Sequence, residues 1–192
     1  MLVNSEGPRA SLATSNTVSE RLEDLQYTLG EGPCVDAHSD GRPVIAPDLA
    51  QPSDPRWPAF TPLAIAAGAG AMFGFPVRIG AARLGALNLY RERTGPLSDD
   101  QHADALVIAD VTARAILTIQ ADAPPGTIAE ELETEADFHM VVHQAAGMVS
   151  VQLDVSLADA LLQLRARAFG TGRLVADVAT DVVNRTLRFD SL

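Results

Sequence analysis

Apolar residues follow mixed periods in the first part of the chain and a helical period throughout the last part. Ala71 to Ile79 alternates, placing Phe73, Phe75, Val77 and Ile79 on one face, as a strand requires. Gly80-Ala81-Ala82-Arg83 is a hairpin connection to a second strand, Leu84 to Arg91. There Ala86, Asn88 and Tyr90 point one way and Leu87 and Leu89 the other. Shorter strand candidates are Leu2-Val3, Ala10 to Thr14 and Pro43 to Ala46, with the turn Asn4-Ser5-Glu6-Gly7-Pro8 between the first two. Ser19 to Leu25 reads as a helical turn with Leu22 and Leu25 inward, Leu29 to Cys34 as a glycine-rich loop, and Trp57 to Ala69 as a short helix. Ser98 to Gln120 is a long amphipathic helix with Ser98 as its N-cap and Asp99-Asp100 in the favourable first turn.

Pro124-Pro125 marks the clearest boundary. Beyond it the acidic stretch from Glu130 leads into a helix carrying Phe138, Val141, Val142, Ala145, Val149 and Leu153 at helical spacing. Ser156 with Asp159 resembles a capping box and opens a helix that buries Leu157, Ala160, Leu161 and Leu164. Gly170 is expected to stop it, and Thr171 to cap a third helix with Leu174, Val178, Val182 and Leu187 inward.

Composition fits a globular protein, with 47% hydrophobic and 20% charged residues. No apolar run approaches the roughly 20 residues of a membrane span, and the start lacks a signal peptide's basic and apolar regions, so a cytoplasmic location is expected. Net charge is −11, which argues against a generally sticky nucleic-acid binder. The C-terminal helices are neutral, however, with Arg165, Arg167, Arg173, Arg185 and Arg188 balancing their aspartates. Every basic residue is arginine, the side chain that forks best onto phosphates.

Chemistry-bearing residues are few. Cys34 is the only cysteine, which rules out an intrachain disulfide and a cysteine zinc cluster. Glu31 and Asp36 beside it would raise its pKa, favouring a structural thiol over a reactive one. Glu135, His139 and His143 share a helical face, but Met140 stands where H-E-x-x-H places its glutamate, so no metal is expected. Gly68, Gly70 and Gly74 have the wrong spacing for a dinucleotide loop and read as packing glycines. A small-molecule pocket is expected from Cys34, Trp57, Phe60, Phe75, Asn88 and Tyr90, against the alternative of an ordinary sheet core.

Two resemblances join these segments. Leu29-Gly30-Glu31-Gly32-Pro33-Cys34-Val35-Asp36-Ala37, with Asp48-Leu49, Trp57-Pro58-Ala59-Phe60 and Gly85-Ala86-Leu87-Asn88-Leu89-Tyr90, resembles the GAF domains of actinobacterial regulators. His143-Gln144-Ala145-Ala146-Gly147-Met148-Val149, Val155 to Leu161, Leu164-Arg165 and Leu174 to Ala179 resemble the ANTAR domain. The resemblance implies an α+β fold, a GAF-like antiparallel sheet with flanking helices, followed by a small all-α three-helix ANTAR domain. The expected boundaries are 1–120 for the sensor, 121–131 for the linker and 132–189 for the helical domain. The sensor is expected to be N-terminally short, because such domains usually carry a helix and more of the first strand ahead of this start. The departures within the helical part are Ala146, where a basic residue is common, and Leu161, where an aromatic is frequent.

The resemblance implies a signal-responsive transcription antitermination regulator that is not an enzyme and needs no cofactor. It would work as a homodimer, away from membranes, binding an unknown small effector and a paired hairpin RNA. The RNA-contact candidates are Gln144, Met148, Arg165, Arg173, Arg185 and Arg188. The alternatives are a GAF-based dimeric protein-interaction module without nucleic acid, a methionine sulfoxide reductase, for which one cysteine is too few, and a helix-turn-helix DNA binder, for which the last helices lack a dense basic face.

Overall fold

The alternation beginning at Ala71 builds the central hairpin of an antiparallel sheet. A computed structural model describes residues 2–4, 7–51, 56–121 and 137–189, without the side chains of 2–10 and 137–139. The described elements are β1 (Leu2–Asn4), β2 (Gly7–Ala10), α1 (Thr17–Leu29), α2 (Pro33–Asp40), β3 (Val44–Ala46), α3 (Phe60–Ala66), β4 (Ala71–Ile79), β5 (Ala82–Arg91), α4 (Asp99–Ala121), α5 (Asp137–Leu153), α6 (Leu157–Thr171) and α7 (Val175–Val183). The chain divides into two compact units, Met1–Glu135 and Ala136–Leu192. The Pro124-Pro125 linker, the acidic stretch up to 136 with Glu135, and the side chains of Phe138 and His139 lie outside the described residues. No single helix among the described residues is long and apolar enough to cross a membrane.

In the first unit the strand order is β2-β1-β5-β4-β3, every neighbouring pair antiparallel. Gly80, at φ +58°, turns the β4–β5 hairpin. A register shift at Val77/Arg78 leaves Leu84 unpaired, and beyond it the hairpin leaves the core. Ile79 is therefore 37% exposed, and only Phe73, Phe75 and Val77 of its expected face are buried. That face packs on Ala105, Ala109, Ala113 and Ile116 of α4, where small side chains let the helix lie close to the sheet. The other face, through Met72 and Ala86, packs on Leu22 and Leu25 of α1, Cys34 and Ala37 of α2, and Phe60 and Ala64 of α3.

Local signals set most boundaries. Asn16 caps α1 by accepting from the Ser19 amide at 2.8 Å while Ser19 Oγ accepts from the Asn16 amide at 3.0 Å, so α1 runs well beyond the single turn expected. Ser98 and Gln101 make the same reciprocal pair at the start of α4 (3.2 and 3.0 Å). The second strand is Gly7–Ala10, earlier than the Ala10–Thr14 reading. The loop from Leu29 ends at Gly32, because Pro33 opens an eight-residue helix that sequence periodicity did not announce. With Asp36, Ser39 and Asp40 among its residues, that helix is too short and too polar to show an apolar stripe.

The described part of the second unit is three helices. Val142, Ala145, Val149, Ala160, Leu161, Leu164, Val178 and Val182 form its core, as their spacing predicts. Ser156 caps α6 by accepting from the Asp159 amide at 3.1 Å, while its hydroxyl donates to the Asp159 carboxylate at 2.6 Å. Only half of the expected capping box forms, since Asp159 bonds the hydroxyl rather than the backbone. Leu157 and Leu174, expected inside, are 43% and 36% exposed; Val175 occupies the core in place of Leu174. Helix α6 passes through Gly170 and ends at Gly172, whose φ of +65° supplies the left-handed stop. Thr171 donates back to the Arg167 carbonyl at 2.7 Å instead of capping the next helix. Helix α7 ends at Val183, so Arg185 and Arg188 lie beyond it and not within its last turn.

Candidate functional site

Helix α1 carries two polar residues into the space between the helices and the sheet. Gln26 is fully buried, and its Oε1 accepts from the Cys34 amide at 2.8 Å, satisfying a donor left free at the start of α2. Gly32 is required there: at φ +132°, a Cβ would lie 2.5 Å from Gln26 Oε1. Gln26 Nε2 has no hydrogen-bond partner. One turn back, Glu23 is 6% exposed, and its Oε1 accepts from Asn88 Nδ2 at 2.8 Å; Asn88 Oδ1 is left without a partner. Buried polar atoms of this kind are rare in a finished core and common where a ligand or ordered water completes the bonding.

Around this pair the fold gathers most of the predicted pocket. Cys34, Trp57 and Phe60 are buried in the α1–α3 core, and Tyr90 packs against it. Trp57 Nε1 donates to Asp36 Oδ2 at 2.9 Å, and its ring meets Phe60 edge-on at 6.4 Å. Glu31 Oε2 accepts from the amides of Ala59 and Phe60 (3.0 and 3.1 Å), pinning the start of α3. The Tyr90 hydroxyl donates to Asn16 Oδ1 at 3.1 Å, tying β5 to the α1 cap. Phe75 does not belong with them. Its odd position on β4 sends it to the opposite face, against α4, where it stacks edge-on with His102 at 5.1 Å.

Electrostatics distinguish the groups. Burial, reinforced by Glu23, pushes the Cys34 thiol far up, so the side chain sits as a neutral thiol inside the core and not on a loop. Burial, with Glu20 and Glu23 nearby, raises the Asp24 carboxyl to about 6. Burial also lowers His38, whose carbonyl accepts from Arg83 at 3.2 Å. Among the described residues no group of three metal-ligating side chains comes together. Glu23 and Gln26 escaped sequence reasoning. Their signal was available, since both sit at inward spacing beside Leu22 and Leu25 on one helix.

In the second unit the RNA candidates are scattered. Gln144 is exposed and Met148 half-buried one turn later on α5; Arg165 is half-buried on α6. Arg173 pairs with Asp181 at 2.8 Å, which spends part of its charge within the unit. Arg185 and Arg188 are exposed past α7. Ala146 is 1% exposed, so that position faces the core and offers nothing to a phosphate. Sequence reasoning missed Phe169, which is 59% exposed and stands one turn after Arg165, with Leu162 (61% exposed) on the same side of α6.

The family model described as the GAF domain matches residues 1–117. No curated protein matches the chain. One solved structure, a type II free methionine-R-sulfoxide reductase from Thermoplasma acidophilum, is similar at 24% identity and a TM-score of 0.37. The match covers 45% of this chain and 56% of that one, little more than half of the reductase's length. With its first 117 residues matching that model, the chain belongs to the GAF domain family, whose members are small-molecule sensing modules.

Proposed function

We propose that this protein is a regulator whose GAF unit binds a small effector on the α1–α2 side of its sheet and whose three-helix unit acts on hairpin RNA to control transcription termination. The effector end of this reading is supported by the buried, unfilled Nε2 of Gln26 and Oδ1 of Asn88 beside Trp57 and Tyr90. They suit a compact molecule offering one acceptor and one donor from an otherwise apolar body. The protonated, buried Cys34 is a poor nucleophile, which favours sensing over catalysis.

The observation carrying the RNA reading is the exposed Phe169 on α6, whose open aromatic face can stack an unpaired base. A transcript-binding regulator would work in the cytoplasm, and as a homodimer it would present two such faces to paired hairpins. Titration of the full chain with fluorescent tandem-hairpin RNA at low salt tests this. Saturable binding that weakens about tenfold or more in Phe169→Ala, and steeply with salt, is expected. Absence of binding at every salt concentration overturns the RNA reading. The Arg173–Asp181 pair and the exposed Leu162 favour a second reading, a protein-docking module. Selective binding to a partner protein, with RNA ignored, would establish it.

A further inference from the structure

The sheet-facing side of α4 is accounted for by Ala105, Ala109, Ala113 and Ile116, but its outer side is unusually apolar for a surface helix. Val107 is 62% exposed, Val111 58% and Ile108 50%. At 100° per residue, the line diametrically opposite Ala109 runs Asp100, Asp104, Val107, Val111, Arg114, Thr118. These positions are spaced four, three, four, three and four, the alternation of a coiled-coil seam.

The seam is also palindromic in chemistry. Two copies laid antiparallel, with the two-fold axis at the level of Ala109, bring Val107 against Val111 and Ala103 against Ala115. The same register brings Asp104 against Arg114, each pairing occurring twice. A parallel pair would instead set Asp104 on Asp104 and Arg114 on Arg114 in a chain of net charge −11. The Arg114 Nε is held by Asp110 Oδ2 at 2.8 Å, and the other guanidinium donors would be left for a carboxylate across such a seam. The small Ala103 and Ala115 at its edges permit close approach of the two helices.

We infer that α4 pairs with α4 of a second copy of this chain, antiparallel, through Val107, Val111 and the Asp104–Arg114 charges. This deepens the homodimer within the function proposed above and does not depend on RNA.

The test uses the full chain without RNA. The substitutions Val107→Cys and Val111→Cys each add one cysteine at an exposed position, while the native Cys34 is buried. Under mild oxidation, a mixture of the two variants should give covalent dimer, while each alone gives little. In the antiparallel pair, like positions are offset by four residues, about 6 Å along the axis, too far for a disulfide. By sedimentation, Asp104→Arg should weaken association at least tenfold, and adding Arg114→Asp should restore it. A monomer at all concentrations overturns both this seam and the dimer. A dimer whose single variants link to themselves, or which ignores the charge changes, overturns the seam and leaves the dimer reading standing.

Discussion

Replacing Gly74 with alanine should loosen the first unit markedly. An ideal Cβ at this position on β4 would lie 2.3 Å from the Pro33 carbonyl oxygen and 2.6 Å from its carbon. An ordinary carbon–oxygen contact is about 3.3 Å, so the N-terminus of α2 must withdraw by about 1 Å. Both neighbours are backbone, and α2 is held in place. The Cys34 amide donates to buried Gln26, and Arg83 grips the carbonyls of His38 and Ser39. Overpacking against a fixed neighbour costs about 1–3 kcal/mol, and the tethers put this site near the upper end. Trp57, the single tryptophan, is 5% exposed in the same core, so its fluorescence reports this unit alone. Urea titration followed at Trp57 should show a loss of about 2–3 kcal/mol, and a thermal midpoint lower by roughly 5–10 °C. A midpoint within about 0.5 kcal/mol of wild type would show that α2 gives way freely, refuting the claim that Gly74 fixes its distance from the sheet.

Three further outcomes follow from particular residues. Gly147 lies inside α5, where an added Cβ would meet nothing within 4 Å, so Gly147→Ala should stabilise the helical unit by about 0.5–1 kcal/mol in calorimetry. Asp24, raised to about 6 when folded, favours its protonated form in the native state. Its contribution is therefore full below the unfolded value near 3.8 and lost as pH rises through 6; with the partial exposure of the carboxyl discounted, Asp24→Asn should gain about 1 kcal/mol on wild type between pH 4 and 7 in paired urea titrations. Identical pH profiles would contradict this. Iodoacetamide should label Cys34 only after urea unfolding, and rapid labelling of the folded protein would show that the thiol is accessible.

Much of this architecture is determined by local sequence. Alternation fixes the β4–β5 hairpin, because a pleated strand has a period of two. Asn16, Ser98 and Ser156 mark helix starts, because a helix's first amides need nearby acceptors. The core of the second unit follows from helical spacing at Val142, Val149 and Leu164. Other features were decided only by tertiary packing. Both faces of β4 are buried, so its alternating residues serve two different cores, and Phe75 is separated from Trp57 by the sheet itself. Helix α2 lies this close to the sheet and to Gln26 because Gly74 and Gly32 carry no Cβ, a distance no local pattern encodes. Glu23, Gln26 and Asn88 become a candidate site only when a helix and a strand 65 residues apart meet, since a polar residue announces its need for a partner only once it is buried.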